Sequence, residues 1–175
     1  EPLPIECSIG YLLSTYKNKM NNKAIILNDE VISQNPEGGT GKGLFVQGLR
    51  QIRKVSILDG KTFDDKKSFP YQTVSPETQV LVFDDVLKNF NFENKFSLVT
   101  EGMTLERKNK DAIKLKVEDS PKMVISTNYA IKGEGNSHDR RRHELEIAQY
   151  YGKNMTPYDE FGRQLFDDWD LEDFQ

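Results

Sequence analysis

Residues 35–43 read NPEGGTGKG, a glycine-rich turn that ends in Gly-Lys between an apolar run and an amphipathic run with helical spacing. Glycines in such a turn let successive backbone N–H groups converge on an anion, and Lys42 adds a positive charge, so the stretch predicts a phosphate-binding loop. The usual pattern G-x-x-x-x-G-K-[ST] is broken at Pro36 and at Gly43, which lacks the hydroxyl that binds magnesium. A plain glycine turn is the alternative. The predicted nucleotide-binding residues are Gly38, Gly39, Thr40, Gly41, Lys42, Gly43 and Leu44.

Two acidic residues follow an apolar run further along, where residues 79–86 read QVLVFDDV. Four consecutive apolar residues before Asp84 and Asp85 are typical of a strand that is buried on both faces. Open α/β sheets bind ligands at the carboxyl ends of their parallel strands, and carboxylates there suit Mg²⁺, which prefers oxygen ligands. We therefore predict that Asp84 and Asp85 bind the metal. An ordinary strand followed by a solvated Asp-Asp turn is the alternative.

A third apolar run, residues 123–128 (MVISTN), ends in small polar residues. It predicts another buried strand, after which Asn128 would orient a water molecule or sense the terminal phosphate. The alternative for Asn128 is a turn that merely ends the strand.

Positive charge is concentrated in one short region of an acidic chain. The net charge is −4, and residues 159–175 alone carry seven acids and one arginine. Residues 103–107 and 112–117 alternate in polarity around Asn-Lys-Asp, which predicts a β-hairpin that is rich in lysine. A compact basic element suits contact with DNA phosphates, and a solvated charged face is the alternative. The predicted DNA-binding residues are Arg107, Lys108, Lys110 and Lys114.

The remaining patterns predict three further elements. Ile9, Leu12, Leu13, Tyr16 and Met20 have helical spacing, with Ser8 able to cap the start of the helix. The short apolar runs 24–27 and 31–33 predict a hairpin that leads into the glycine-rich loop. Near the acidic end, Phe161, Leu165, Phe166 and Trp169 predict a packed amphipathic helix.

Composition limits the class of protein. At 175 residues, with 36% hydrophobic and 30% charged residues, the chain suits one soluble globular domain. A single cysteine, Cys7, and two histidines give neither a disulfide framework nor a zinc spacing. No apolar run has transmembrane length and no secretory leader is evident, so we expect a cytoplasmic protein without a membrane partner.

Five features follow one another along the chain: the glycine-lysine loop, the paired acids, the basic hairpin, the Ser-Thr-Asn strand end and an arginine cluster. This ordered set resembles the superfamily three helicases, the ring-forming DNA helicases of small viruses, phages and plasmids. The resemblance covers residues 31–148 and is strongest to the helicase portion of phage-type primase-helicase proteins. It implies an α/β fold, with an AAA+-like, mostly parallel central sheet flanked by helices and an inserted basic β-hairpin. It also implies ATP with Mg²⁺, a homo-hexameric ring, single-stranded DNA in the ring channel, and a primase domain on the same longer chain.

The resemblance also implies roles for individual residues. Lys42 would hold the phosphates, Asp84 would bind Mg²⁺, and Asp85 would orient or deprotonate the attacking water with help from Asn128. In these helicases an arginine finger of one subunit reaches the nucleotide that is bound to its neighbour. The region of the finger corresponds to Arg140, Arg141 and Arg142.

We therefore expect an ATP-dependent DNA helicase motor of a viral or mobile-element replication protein. Residues 1–22 are expected to form an N-terminal helix or linker, residues 23–150 the ATPase core, and residues 151–175 an acidic helical segment. Because Gly43 lacks the hydroxyl, a nucleotide-binding assembly or replication-initiation module with little hydrolysis is the main alternative. A small-molecule kinase is a third reading, in which the basic hairpin would have no use.

Overall fold

A central sheet of parallel strands organises the computed structural model, which describes residues 4–31, 39–167, 169 and 172–174. Its strands are β1 (Ala24–Asp29), β2 (Val55–Asp59), β3 (Val80–Val86), β6 (Lys122–Thr127) and β7 (Arg142–Ile147). They lie in the order β2-β3-β6-β1-β7, and every pairing is parallel. The strand that carries the paired acids is thus separated from β1 by β6.

The apolar runs of the sequence become the buried middle of this sheet. Every residue of β1 and β6 is buried, as expected for parallel strands that are covered on both faces. Alternation along each strand divides the core between the two faces, so that Ile26 and Phe83 lie in one apolar cluster and Ile25 and Val82 in the other.

Helices cover both faces of the sheet. They are α1 (Pro4–Leu13), α2 (Lys42–Ile52), α3 (Phe96–Thr100), α4 (Asn136–Asp139) and α5 (Pro157–Phe161), with short 3-10 helices at Glu93–Lys95 and Glu172–Phe174. Val46 and Leu49 of α2 are buried in the same cluster as Val82, while Val99 of α3 is buried in the cluster on the opposite face. The predicted α/β architecture, an AAA+-like sheet flanked by helices, is confirmed. No helix in the described ranges is long and apolar enough to cross a membrane.

The predicted hairpin is present between β3 and β6. Its strands β4 (Met103–Leu105) and β5 (Ile113–Leu115) pair in antiparallel register, with Thr104 opposite Lys114. The paired arms are shorter than predicted. Met103, Leu105 and Leu115 are buried in the core cluster, whereas Ile113 is 42% exposed. The hairpin is therefore anchored at its base, and residues 106–112 form its tip.

Three local predictions were wrong. The hairpin expected at residues 24–33 does not form, because Asn28 and Asp29 continue β1 and pair with Glu146 and Ile147 of β7; residues 32 and 33 lie outside the described part of the chain. The first helix ends at Leu13, and Ser8 lies inside it, where its hydroxyl donates to the Pro4 carbonyl. The last helix ends at Phe161, beyond which Gly162 takes a left-handed conformation.

Two lysines tie the N-terminal segment to the amino-terminal edge of the sheet. Lys17 Nζ donates to Ser120 Oγ at 2.7 Å and to the Pro121 carbonyl at 2.8 Å, and Lys122 Nζ donates to the Ser14 carbonyl at 2.7 Å. Burial lowers the pKa of Lys17 to about 7 and that of Lys122 to about 8. Both amines therefore sit where their charged form is disfavoured.

Candidate active site

A cleft of about 460 Å³ opens at the carboxyl-terminal edge of the sheet, beside the start of α2. Every described residue that the sequence predicted to bind nucleotide or metal lines it, as does Asn128. Gly38 lies outside the described residues. Four lining residues were not predicted to bind: Gln47, Ser126, Tyr151 and Pro157. Residues that are far apart in the sequence thus converge on one cavity, as expected for an open α/β sheet.

Glycines shape the loop that leads into α2. Gly39 and Gly41 have φ angles of 82° and 102°, a left-handed region that side chains rarely adopt. Gly41 precedes the first helical residue, Lys42, and no side chain of the described residues caps the helix. The N–H groups of the first helical turn therefore have no partner within the helix and, with the helix dipole, favour an anion in the cleft.

Lys42 is held by a residue that the sequence analysis missed. Its Nζ forms an ion pair with the Asp29 carboxylate and donates to Thr40 Oγ1 at 3.0 Å, and the Thr40 hydroxyl in turn donates to Asp29 Oδ1 at 2.6 Å. The Lys42 and Asp29 side chains are only 11% and 9% exposed. Asp29 ends β1, so the central strand itself orients the loop lysine.

The paired acids are positioned by the neighbouring strand. Ser126 Oγ donates to Asp84 Oδ1 at 2.6 Å and accepts from the Asp85 backbone N–H at 2.7 Å. The register between β3 and β6 shifts at this point, and Asp85 has a φ of 54°. Non-glycine residues at positive φ are costly and concentrate at functional sites. Asn128 Nδ2 donates to Asp85 Oδ1 at 3.3 Å, so the strand end expected to sense phosphate contacts the second acid.

Another residue that the sequence analysis missed, Lys61, contacts Asp85. Lys61 follows β2, and its Nζ lies 2.5 Å from Asp85 Oδ2. The hydrogen bond and charge of Asp85 raise the pKa of Lys61 above its ordinary value. Nothing in the irregular segment after β2 distinguishes Lys61 from the other lysines there.

The oxygen-bearing side chains at the cleft suit Mg²⁺ better than a metal ion that is coordinated entirely by protein ligands. No group of three His, Cys, Asp or Glu side chains able to hold a metal occurs in the part of the chain that the structure describes. Mg²⁺ is usually held by one or two carboxylates, together with waters and substrate phosphates. Asp84 and Asp85 supply that number, whereas the Thr40 hydroxyl is already donated to Asp29.

The arginine cluster does not line the cleft. Arg142 begins β7 opposite Ala24, at the amino-terminal edge of the sheet, whereas the cleft is at the carboxyl-terminal edge. Arg142 pairs with Glu144 at 3.0 Å, and Arg141 lies over the Phe96 ring at 4.6 Å. Arg140 is exposed, and among the described residues its guanidinium has no hydrogen bond or ion pair.

The predicted DNA-binding residues differ in their exposure to solvent. Lys108, Lys110 and Lys114 are exposed on the hairpin. Arg107 is partly buried, and its Nη2 donates to the Val74 carbonyl at 2.9 Å, which joins the hairpin to the segment before β3. The structure therefore presents three of the four cations to solvent.

An apolar cavity of about 630 Å³ adjoins the cleft. Gly41, Leu44 and Tyr151 line both spaces, and Ile9, Phe45, Ile147 and Trp169 are among the other residues around the cavity. A ligand with an anionic end at the glycine-rich loop could thus place an apolar or aromatic group in this cavity without leaving the protein.

Comparison with known proteins supports the architecture. The sequence pattern of a family of unknown function (DUF5906) matches residues 34–142, more than half of the chain. No curated protein matches the chain. The apo structure of the NrS-1 C terminal region is similar with a TM-score of 0.58 and 21% identity over 88% of this chain and 38% of that one.

A further similar structure is JCV helicase bound to N-(4-(2-(thiazolo[5,4-c]pyridin-2-yl)phenoxy)phenyl)acetamide. It has a TM-score of 0.57 and 14% identity, over 85% of this chain and 42% of that one. The chain therefore spans about two fifths of the length of these structures. At such identities the likeness shows the fold alone.

Proposed function

We propose that this chain, which belongs to the DUF5906 family of unknown function, is the ATP-hydrolysing motor domain of a superfamily three DNA helicase from a virus or mobile element. The observation that carries the proposal is the convergence of Lys42, Asp84, Asp85 and Asn128 on one cleft. These residues come from three separate elements, and their types are those that phosphoryl transfer requires. The helicase-like fold of the described residues supports the same reading.

ATP binds with its phosphates at the glycine-rich loop and the start of α2. Lys42 exchanges its bond to Asp29 for the phosphate oxygens, while Thr40 keeps the Asp29 carboxylate hydrogen-bonded. The adjoining apolar cavity receives the base. Asp84, oriented by Ser126, would hold Mg²⁺, which would neutralise the charge of the phosphates.

Hydrolysis requires a water molecule in line with the bond between the γ-phosphorus and the bridging oxygen. Asp85 accepts the water proton as the oxygen attacks phosphorus, the bridging bond breaks, and ADP and phosphate leave. Asn128 orients the Asp85 carboxylate through its amide. A positive charge near the γ-phosphate is still needed, and the protomer's own arginine cluster lies at the opposite edge of the sheet.

That charge comes from a neighbouring subunit in a homo-hexameric ring. Arg140 is the best of the three arginines for this role, because Arg141 and Arg142 are engaged with groups of their own protomer. An arginine that is exposed, and has no partner in the described part of its own subunit, remains free to reach a neighbour. In such a ring the exposed hairpin lysines grip the phosphates of single-stranded DNA. Other parts of a longer chain, such as a primase domain, would complete the replication protein.

The second candidate is a nucleotide-binding assembly module with little hydrolysis, which the missing hydroxyl at Gly43 favours. Phosphate release from ATP separates the two, measured for wild type and Lys42→Ala with Mg²⁺ or a chelator, and with or without single-stranded DNA. The motor predicts release that requires Mg²⁺, increases with DNA and is lost in Lys42→Ala. ATP binding without release would favour the assembly module, and release that DNA does not stimulate would count against a DNA motor.

A further inference from the structure

We propose that Lys61 is a positioning residue that restrains hydrolysis by holding the Asp85 carboxylate in an ion pair. The inference rests on the proposed function of the cleft and adds a built-in limit on its rate. Lys61 contacts Asp85 Oδ2 at 2.5 Å and does not line the nucleotide cleft itself. Its effect on turnover therefore passes through the acid.

The backbone that carries Lys61 is fixed against the acidic strand. The Gly60 N–H donates to the Asp84 carbonyl at 2.6 Å, and Asp59 Oδ1 accepts from the Lys61 N–H at 2.9 Å. A Cβ atom at Gly60 would lie 2.6 Å from that carbonyl and 2.5 Å from Val86 Cγ1. Only glycine allows this approach, so the fold brings Lys61 to Asp85 by close backbone packing.

The rest of the segment is anchored in the core. Lys95 is buried, forms an ion pair with Asp65 and lies 4.8 Å from the centre of the Phe63 ring. Phe63 packs edge-on against Phe83 of β3, with ring centres 5.0 Å apart. The segment after β2 is thus held to the strand that bears the acids, and release of Asp85 needs a movement of the Lys61 side chain alone.

In this arrangement both oxygens of Asp85 have partners. Oδ2 is paired with Lys61, and Oδ1 accepts from Asn128 at 3.3 Å. A carboxylate whose oxygens are held by an ammonium group and an amide presents less of its lone-pair surface to water. The pair opens by separation into solvent, since the two side chains are 57% and 38% exposed.

Steady-state ATP hydrolysis tests the inference in four proteins: wild type, Lys61→Ala, Lys61→Arg and Lys66→Ala. Lys66 is the matched control, an exposed lysine in the same segment whose side chain does not line the cleft. We expect kcat to rise about two- to sixfold in Lys61→Ala with KM unchanged, because an exposed ion pair holds its closed state only weakly. Lys61→Arg, which keeps the pair, and Lys66→Ala should both resemble wild type.

Each other outcome has a distinct meaning. A kcat for Lys61→Ala equal to or below that of wild type overturns the restraint, and a raised KM shows instead that Lys61 binds the nucleotide. A rise of equal size in Lys66→Ala would overturn the proposal, because it would show that the loss of any positive charge from this segment has the same effect. If ATP binds but neither wild type nor Lys61→Ala hydrolyses it, the hydrolytic function itself fails, and the restraint fails with it.

Discussion

Restoring a hydroxyl at Gly43 is the most specific perturbation of the proposed magnesium site. A Cβ atom at this position would meet no heavy atom within 4 Å, and the backbone does not have the positive φ that disfavours side chains. The first turn of α2 would therefore accommodate a threonine side chain here. We expect Gly43→Thr to tighten Mg²⁺-dependent ATP binding by on the order of tenfold, at the lower end of what contacts that support a metal ligand contribute.

The same substitution changes helix stability, and this contribution must be separated from the hydroxyl. Replacing an interior helical glycine by alanine stabilises by up to about 1 kcal/mol, and less in the first turn. For a chain of this size 1 kcal/mol shifts Tm by about 2–4 °C. Gly43→Ala should thus raise Tm by a few degrees at most without any change in Mg²⁺ dependence.

Calorimetric titration of ATP, with and without Mg²⁺, measures the difference between the two variants. Tighter Mg²⁺-dependent binding in Gly43→Thr alone supports a hydroxyl ligand at this position. Equal affinities in Gly43→Thr and Gly43→Ala would rule out a hydroxyl ligand at this position, since another group would then already complete the magnesium site.

Three further predictions address the DNA contact, the ring and the buried lysine. Alanine at Lys108, Lys110 and Lys114 should weaken binding of single-stranded DNA and make its salt dependence shallower while basal ATP hydrolysis persists; an unchanged salt slope would leave the hairpin a solvated face. Arg140→Ala should keep ATP binding but lose about 10³-fold in hydrolysis, and should regain activity when mixed with Lys42→Ala subunits; activity per subunit that is independent of dilution, with no rescue, would exclude a trans-acting arginine. The pKa of Lys17 is lowered from 10.5 to about 7, so between these pH values the unfolded chain binds more protons than the folded chain. The free energy of unfolding should therefore rise with pH in this range, by at most about 1.4 kcal/mol per pH unit. Urea denaturation at pH 7 and pH 9 measures this rise, which should shrink in Lys17→Met; an equal rise in both proteins would place its origin elsewhere.

The sequence predicts the sheet because its central strands are continuous apolar runs with polar ends. That pattern is strong for β3 and β6, where burial on both faces leaves little choice of side chain. It misleads at β1, where Asn28 and Asp29 were interpreted as a turn. They extend the strand because their side chains find partners outside it, in Glu144 and Lys42, which lie 116 and 13 positions away in the sequence.

The site was predictable where a motif is local and not where it depends on tertiary contact. The glycine-rich loop and the paired acids are short patterns whose chemistry can be recognised from the order of their residues. Asp29, Lys61 and Tyr151 reach the site only through the packing of β1, β2 and the segment after β7. Arg107 is the opposite case. The charge pattern assigns this residue to DNA, but its guanidinium donates a hydrogen bond to the carbonyl of Val74, in a distant segment of the same chain.

The assignment of the cleft as a nucleotide site is tested by equilibrium binding of ATP with Mg²⁺ to three proteins: wild type, Lys42→Ala and the double variant Asp29→Asn/Lys42→Ala. The double variant is needed because Lys42→Ala alone leaves the Asp29 carboxylate, which is only 9% exposed, without its cation. Circular dichroism melts establish that each protein is folded. We expect one ATP per chain in wild type and a large loss of affinity in both variants. ATP binding of undiminished affinity by the folded double variant would contradict the assignment of this cleft as a nucleotide site.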